Sequence, residues 1–364
     1  MSNTAGQKEF LAELGRFARR EIEPGMLEAD AARDMNWLAR VWGKSRRLDL
    51  PGLFASPSPQ EEGATRLLCA RALEALAASC PGAACLYAFH FAAAHVLDRA
   101  GGPLAGHLQA GGNDPFRAPL VVSFPDPSRD ADLRLAAAKD GYTLSGETNL
   151  LGNAHLAHSA VIFVPEGDRP DQCSCVLADL GAAGVSRGPD ARLPGLCANP
   201  FSRIRFDETA VSAPCLLPPD RAEGIMQEAR GLFFAFTAAT AAGCAARALE
   251  KADAYARSRY QFGKNIIGHS EMKRMLAKMR MRLFLARSAV SALFSGPLFH
   301  PEEALYAKVF STDAALATAT DAVQIHGGYG YMHEYGVEKI MRDAKTLQLL
   351  GGPNPHLLAG SVKE

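Results

Sequence analysis

Two stretches of the 364-residue chain bring together side chains able to hold an anion. The first, "YARSRYQFGKNI", carries Arg259, Gln261, Phe262 and Gly263 where a helical pattern runs out. An arginine beside a glutamine can grip a phosphate or diphosphate through planar, charge-assisted hydrogen bonds, and a neighbouring phenylalanine adds a stacking face. The second, "DAVQIHGGYGYMHEYGVEKIMRDAK", carries Gln324 and then Gly327-Gly328. Backbone without Cβ lets a flat or charged ligand come close. Either stretch by itself is also what a glycine-rich helix end looks like. A third, "VEKIMRDAKTLQLLGGPNPHLL", breaks at Gly351-Gly352-Pro353. Its turn offers no carboxylate, thiol or hydroxyl, and the nearest titratable side chain is His356.

Three blocks of pattern must position these stretches. Residues 1–115 read as helices: "EFLAELGRFARREI" sets Phe10, Leu11, Leu14 and Phe17 on one face, and "ATRLLCARALEALAASC" and "CLYAFHFAAAHVLDRA" are alanine-rich and apolar throughout. Residues 116–222 change texture to short, often alternating runs such as "APLVVSF", "YTLSGETNLLG", "SAVIFV" and "FSRIRFDE", broken by Gly, Pro, Asp and Asn. That spacing predicts a β sandwich or barrel. Residues 223–364 return to helical periodicity, with Met272, Met275, Leu276, Met279 and Leu283 as a core-filling stripe. The predicted class is α+β, with a β domain between an N-terminal helical domain and a C-terminal helix bundle.

Composition narrows the function classes. Lys+Arg and Asp+Glu both number 39, so the formal net charge is zero and no basic surface argues for nucleic acid or anionic membrane. The eight cysteines are scattered at spacings that fit no zinc pattern, and no metal site is expected. The first residues lack a basic-then-apolar signal and no run of about 18 apolar residues appears, so a soluble cytoplasmic protein is expected.

The helix–β–helix order with "RYQFGK", "QIHGGYGY" and "VEKIMRDAK" resembles the acyl-CoA dehydrogenase superfamily, and the resemblance runs over nearly the whole chain. It implies FAD lying between the β domain and the C-terminal helices, with its diphosphate and adenine end held by a neighbouring subunit. By position, Arg259, Gln261, Phe262, Gly263, Gln324, Gly327 and Gly328 hold that far end, and Ser123 and Asn153 serve the flavin of this chain. It also implies a dimer or tetramer, an acyl-CoA or acyl-carrier-protein thioester as substrate, and electron-transfer flavoprotein as acceptor.

The resemblance also marks what is missing. The family's catalytic glutamate falls at Gly351, and the alternative base position on an earlier helix falls at Phe233. The Asp-x-x-Arg pair that binds CoA becomes Gly231 and Phe234. In "VSFPDPSRD" Pro125 and Asp130 persist, Phe124 replaces a glutamate and Ser128-Arg129 a Gly-Ser pair. In "LLGN" Leu150 stands for a tryptophan and Gly152 for a threonine that faces the flavin's reactive edge. Three readings stay open: a dehydrogenase with its base elsewhere (His356, Glu228, His90 or His95), a flavoprotein that eliminates a leaving group, and a non-catalytic subunit that completes a homologous chain's FAD site.

Overall fold

The computed structural model describes residues 5–54, 61–109, 117–125, 133–166, 169–296 and 298–362. The N-terminal helices are α1 (Ala5–Phe17), α2 (Met26–Ala32), α3 (Met35–Ser45), α4 (Glu62–Ala77), α5 (Pro81–Ala100) and α6 (Gly102–Gln109). Leu14 and Phe17 point α1 inward as the spacing requires. Helix α5 buries every residue except Asp98 and Arg99, because it runs between the other helices and the β domain. Its two histidines are therefore interior groups. His90 donates from Nε2 to Pro51 O at 3.0 Å and accepts from Leu120 N at Nδ1 at 3.1 Å, which ties α5 to the loops on both sides.

Burial holds His90 down to about 4 from an ordinary 6.5. The unfolded chain therefore takes up the proton first: the neutral ring's contribution is complete above pH about 6.5 and is lost as pH falls toward 4. The expected cost is roughly 3 kcal/mol across that window. Denaturant unfolding at successive pH values measures it, and His90→Gln is expected to flatten the profile there; an unchanged profile in the variant contradicts this account.

The β domain holds two four-stranded sheets. One has the order β1 (Val121–Ser123), β4 (Ser159–Glu166), β5 (Arg169–Asp179), β8 (Leu216–Leu217); the other has β2 (Arg134–Ala138), β3 (Gly141–Glu147), β7 (Ile204–Ser212), β6 (Val185–Arg187). Among the described strands only β1–β4 is parallel, with Ser123 opposite Ile162. Alternation along β7 puts Ile204, Phe206, Thr209 and Val211 inside.

Helix α7 (Pro219–Ser258) opens the C-terminal bundle, so the predicted boundary at 222 falls inside its first turn. It is long and apolar enough to cross a membrane by length and composition, and 83% of its most apolar window is buried against α4, α5, α8 (Ser270–Leu293) and α9 (Pro301–His326). That is the position of a core helix. Alanines along α7 and α9 let the two axes approach closely. The Met275–Leu276–Met279–Leu283 stripe faces this core, with Met272 at its edge. Helices α10 (Val337–Leu347) and α11 (Asn354–Ser361) close the bundle.

Candidate functional site

The chain does not simply cap α7 with glycine. Arg259 ends the helix and a two-residue ribbon follows, β9 (Tyr260–Gln261) against β10 (Lys264–Asn265). Phe262 (φ 54°) and Gly263 (φ 80°) form its tip, the doubly left-handed turn that suits a tight hairpin. The ribbon, the end of α7 and the end of α9 enclose a cleft of about 510 Å³. Arg259, Gln261, Gly327 and Gly328 line it, as expected. Phe262 is 90% exposed at the hairpin tip beside Gly263, and Gln324 lies exposed in the last turn of α9; none of these three lines the cleft.

Three rings that sequence reasoning missed, Tyr255, His326 and Tyr329, line this cleft, and Tyr335 packs against Tyr329. Tyr255 and His326 stack at 4.4 Å between centroids, and Tyr329 lies 6.5 Å from Tyr255 and 5.1 Å from Tyr335. His326 Nδ1 donates to Ala322 O at 2.8 Å, and burial lowers its pKa, so the ring is neutral. The one available signal was spacing: Tyr255 precedes Arg259 by four residues, one helical turn. At Gly328 an added Cβ would meet nothing within 4 Å, and no positive φ demands glycine. Packing within this chain gives no reason for that glycine.

In the second half of the expected site, aromatic rings stand close to the glycines. Gly351 (φ +68°) lies against α7: an added Cβ would sit 2.7 Å from the Phe234 ring and 3.4 Å from Phe233. The family's two base positions thus meet in space, and neither carries an acid. Phe233 also touches Phe89 at 4.8 Å and Phe124 at 6.0 Å, and Phe124 stacks on Phe163 at 5.8 Å. At Gly152 an added Cβ would meet Phe89 at 2.8 Å and Phe201 at 3.2 Å. A run of phenylalanines therefore joins Gly351 to Gly152. Gly231 is tightly packed as well, since an added Cβ would meet Pro301 at 2.8 Å and Phe299 at 3.0 Å.

The remaining candidates are occupied elsewhere. Asn153 gives its amide hydrogens to Leu86 O (2.8 Å) and Leu120 O (3.1 Å) and accepts from Asn199 (3.1 Å), which leaves it a structural bracket rather than a flavin donor. Ser123 is buried in β1. Ser128, Arg129 and Asp130 lie outside the described residues.

Glu228 points into an ion cluster, bonding Arg66, Arg99 (3.1 Å) and His95 (3.2 Å). Burial would raise its pKa, but His95 and Arg66 outweigh that and hold the carboxylate well below its usual range, which makes it a poor base. His95 is itself buried, and its pKa is lowered chiefly by that burial. His356 faces solvent on α11, while Asn354 and Leu357 of the same helix face inward. The turn before α11 is fastened by Lys308, whose Nζ donates to Gln348 O (3.0 Å), Gly352 O (2.9 Å) and Asn354 Oδ1 (2.7 Å). Among the described residues no group of three or more His, Cys, Asp or Glu side chains is placed to hold a metal.

A β domain set between two helical domains, with a cleft at the end of the C-terminal bundle, defines the class of the chain. The acyl-CoA dehydrogenase N-terminal domain matches residues 4–103 and the C-terminal domain residues 231–359. The chain belongs to the acyl-CoA dehydrogenase superfamily. Isobutyryl-CoA dehydrogenase of Bos taurus mitochondria is 27% identical over 360 residues, which covers 96% of this chain and 86% of that one. Butyryl-CoA dehydrogenase from Megasphaera elsdenii superposes with a TM-score of 0.83 at 23% identity, covering 99% of this chain and 98% of that one. The FAD complex of PigA does so at 0.86 and 19%, covering 99% and 97%.

Proposed function

We propose that this chain is the cofactor-completing subunit of an acyl-CoA dehydrogenase-like assembly. It lends its cleft to the far end of FAD seated in a homologous neighbouring chain, and it forms no catalytic centre of its own. The observation that carries this reading is the contrast between two halves of one expected site. The cleft is lined by Arg259, Gln261, Gly327 and Gly328, while Gly152 lies tight against Phe89 and Phe201 and the two base positions hold Gly351 and Phe233.

FAD fits the first half by the chemistry of its donors. A guanidinium answers the diphosphate, glycine backbone allows close approach, and the exposed Phe262 gives a face for a base. In the second half, Gly152 offers no hydroxyl and both Asn153 amide hydrogens go to Leu86 O and Leu120 O. When bound, FAD supplies the hydride acceptor for oxidation of an acyl thioester. This chain binds and orients the cofactor's remote end and excludes water there. The thioester, on CoA or acyl-carrier protein, then belongs in the neighbour's crevice, as does docking of an electron-transfer flavoprotein.

Flavin absorbance per chain is the test. Protein purified alone is expected to be nearly colourless. Co-expressed with a homologous chain that retains the carboxylate base, it is expected to yield one FAD per pair of unlike chains. One flavin per chain in the protein purified alone refutes the proposal.

A further inference from the structure

Arg259 differs from the other arginines around the bundle's end. Arg257 and Arg280 both pair with Asp253, Arg274 with Glu271 and Arg282 with Asp321. Among the described residues no carboxylate pairs with Arg259, although it carries the only permanent charge among the residues lining the cleft. Its backbone is fixed on both sides: Arg259 N bonds Tyr255 O and Ile266 N bonds Arg259 O, each at 2.8 Å. Its guanidinium carbon lies 5.8 Å from the centroid of the Tyr329 ring.

An exposed arginine is otherwise free over many rotamers, and a ligand that needs it in one of them loses affinity to that freedom. A ring face beneath the guanidinium removes much of the freedom before the ligand arrives. It leaves the N–H edge unclaimed, because cation–π attraction uses the face of the cation and hydrogen bonds use its rim. Tyr329 can act as such a support because it is itself held. It leans on Tyr335 and Tyr255, and Tyr255 stacks on His326, which is anchored to the α9 backbone.

We infer that Tyr329 is a positioning residue for Arg259, holding its guanidinium at the cleft mouth so that its N–H rim meets the diphosphate of a dinucleotide carried by the neighbouring chain. The inference rests on the half-site reading above and adds the residue that prepares its one cation. The ring face is what matters, so the tyrosine hydroxyl is dispensable.

FAD titrated into the apo mixed assembly and followed by flavin fluorescence provides the test. Tyr329→Phe is expected to bind like the natural chain, and Tyr329→Leu about 3- to 30-fold more weakly, the range of a cation–π contact. In an Arg259→Ala background, Tyr329→Leu is expected to cost nothing further, an outcome that a general packing defect would not give. Equal binding by Tyr329→Leu, or full additivity with Arg259→Ala, overturns the inference while the half-site reading stands. A natural mixed assembly that takes up no FAD overturns both.

Discussion

A Gly351→Glu variant is expected to lose about 2–5 kcal/mol of stability and to gain no dehydrogenase activity, although it restores the residue type that the family uses as base. Two costs add. The backbone at Gly351 has φ +68°, where any L side chain is strained by about 1–2 kcal/mol. The new Cβ would also stand 2.7 Å from the Phe234 ring, which is buried and has Arg230 over its face at 5.6 Å. Forcing such a ring aside in a packed core costs about 1–3 kcal/mol. Gly351→Ala isolates these two terms from the effect of the charge. Adding Phe234→Ala to Gly351→Glu removes the clash and is expected to recover part of the loss, so the pair of midpoints in a urea titration separates backbone strain from crowding. A stable single variant that oxidises an acyl thioester would show that the site is dormant and that a single change restores it.

The same logic covers Gly231, where an added Cβ would stand 2.8 Å from Pro301 and 3.0 Å from Phe299. Glycine at 152, 231 and 351 goes with phenylalanine at 89, 201, 299 and 234, each small residue facing a large one, and the Gly152–Phe89 contact joins the β domain to α5. Mutual filling of this kind is what close packing requires.

That pairing explains what the sequence could and could not reveal. The order of lobes was legible because periodicity changes from 3.6 to 2 and back, and periodicity reports which face of an element is apolar. Gly351 and Phe233 were legible as two positions without acid, because motifs such as "RDAK" fix their register. Their meeting was not, since one lies after α10 and the other within α7. Phe89 on α5 looked like one more apolar residue of a buried helix; only the fold shows that its ring covers Gly152 on the β domain. The surroundings of Glu228 were hidden for a similar reason: Arg66 and Arg99, from α4 and α5, converge on it. The hairpin at Phe262-Gly263 was hidden because an arginine-rich helix end and a tight turn share glycine as their mark.

Arg259→Ala in the mixed assembly is expected to weaken FAD binding by about 100- to 10,000-fold while leaving the melting temperature of the isolated chain within a degree or so. Hydrogen bonds from a cation to an anionic partner contribute about 1.5–3 kcal/mol each, and a guanidinium can offer two in parallel to a diphosphate. Nothing comparable is lost from the free chain, because Arg259 is exposed and no carboxylate among the described residues pairs with it. Gly328→Leu provides an independent arm. The position has open space where the side chain would grow, so the free chain tolerates it, yet any ligand lying on that backbone is displaced. Both variants are expected to fold, assemble with the neighbouring chain and arrive without flavin. If either retains the full FAD content of the natural assembly, the cleft is not where the cofactor's far end lies. If either fails to assemble, FAD itself holds the two chains together, and size-exclusion runs with and without added FAD on the natural pair will show the same dependence.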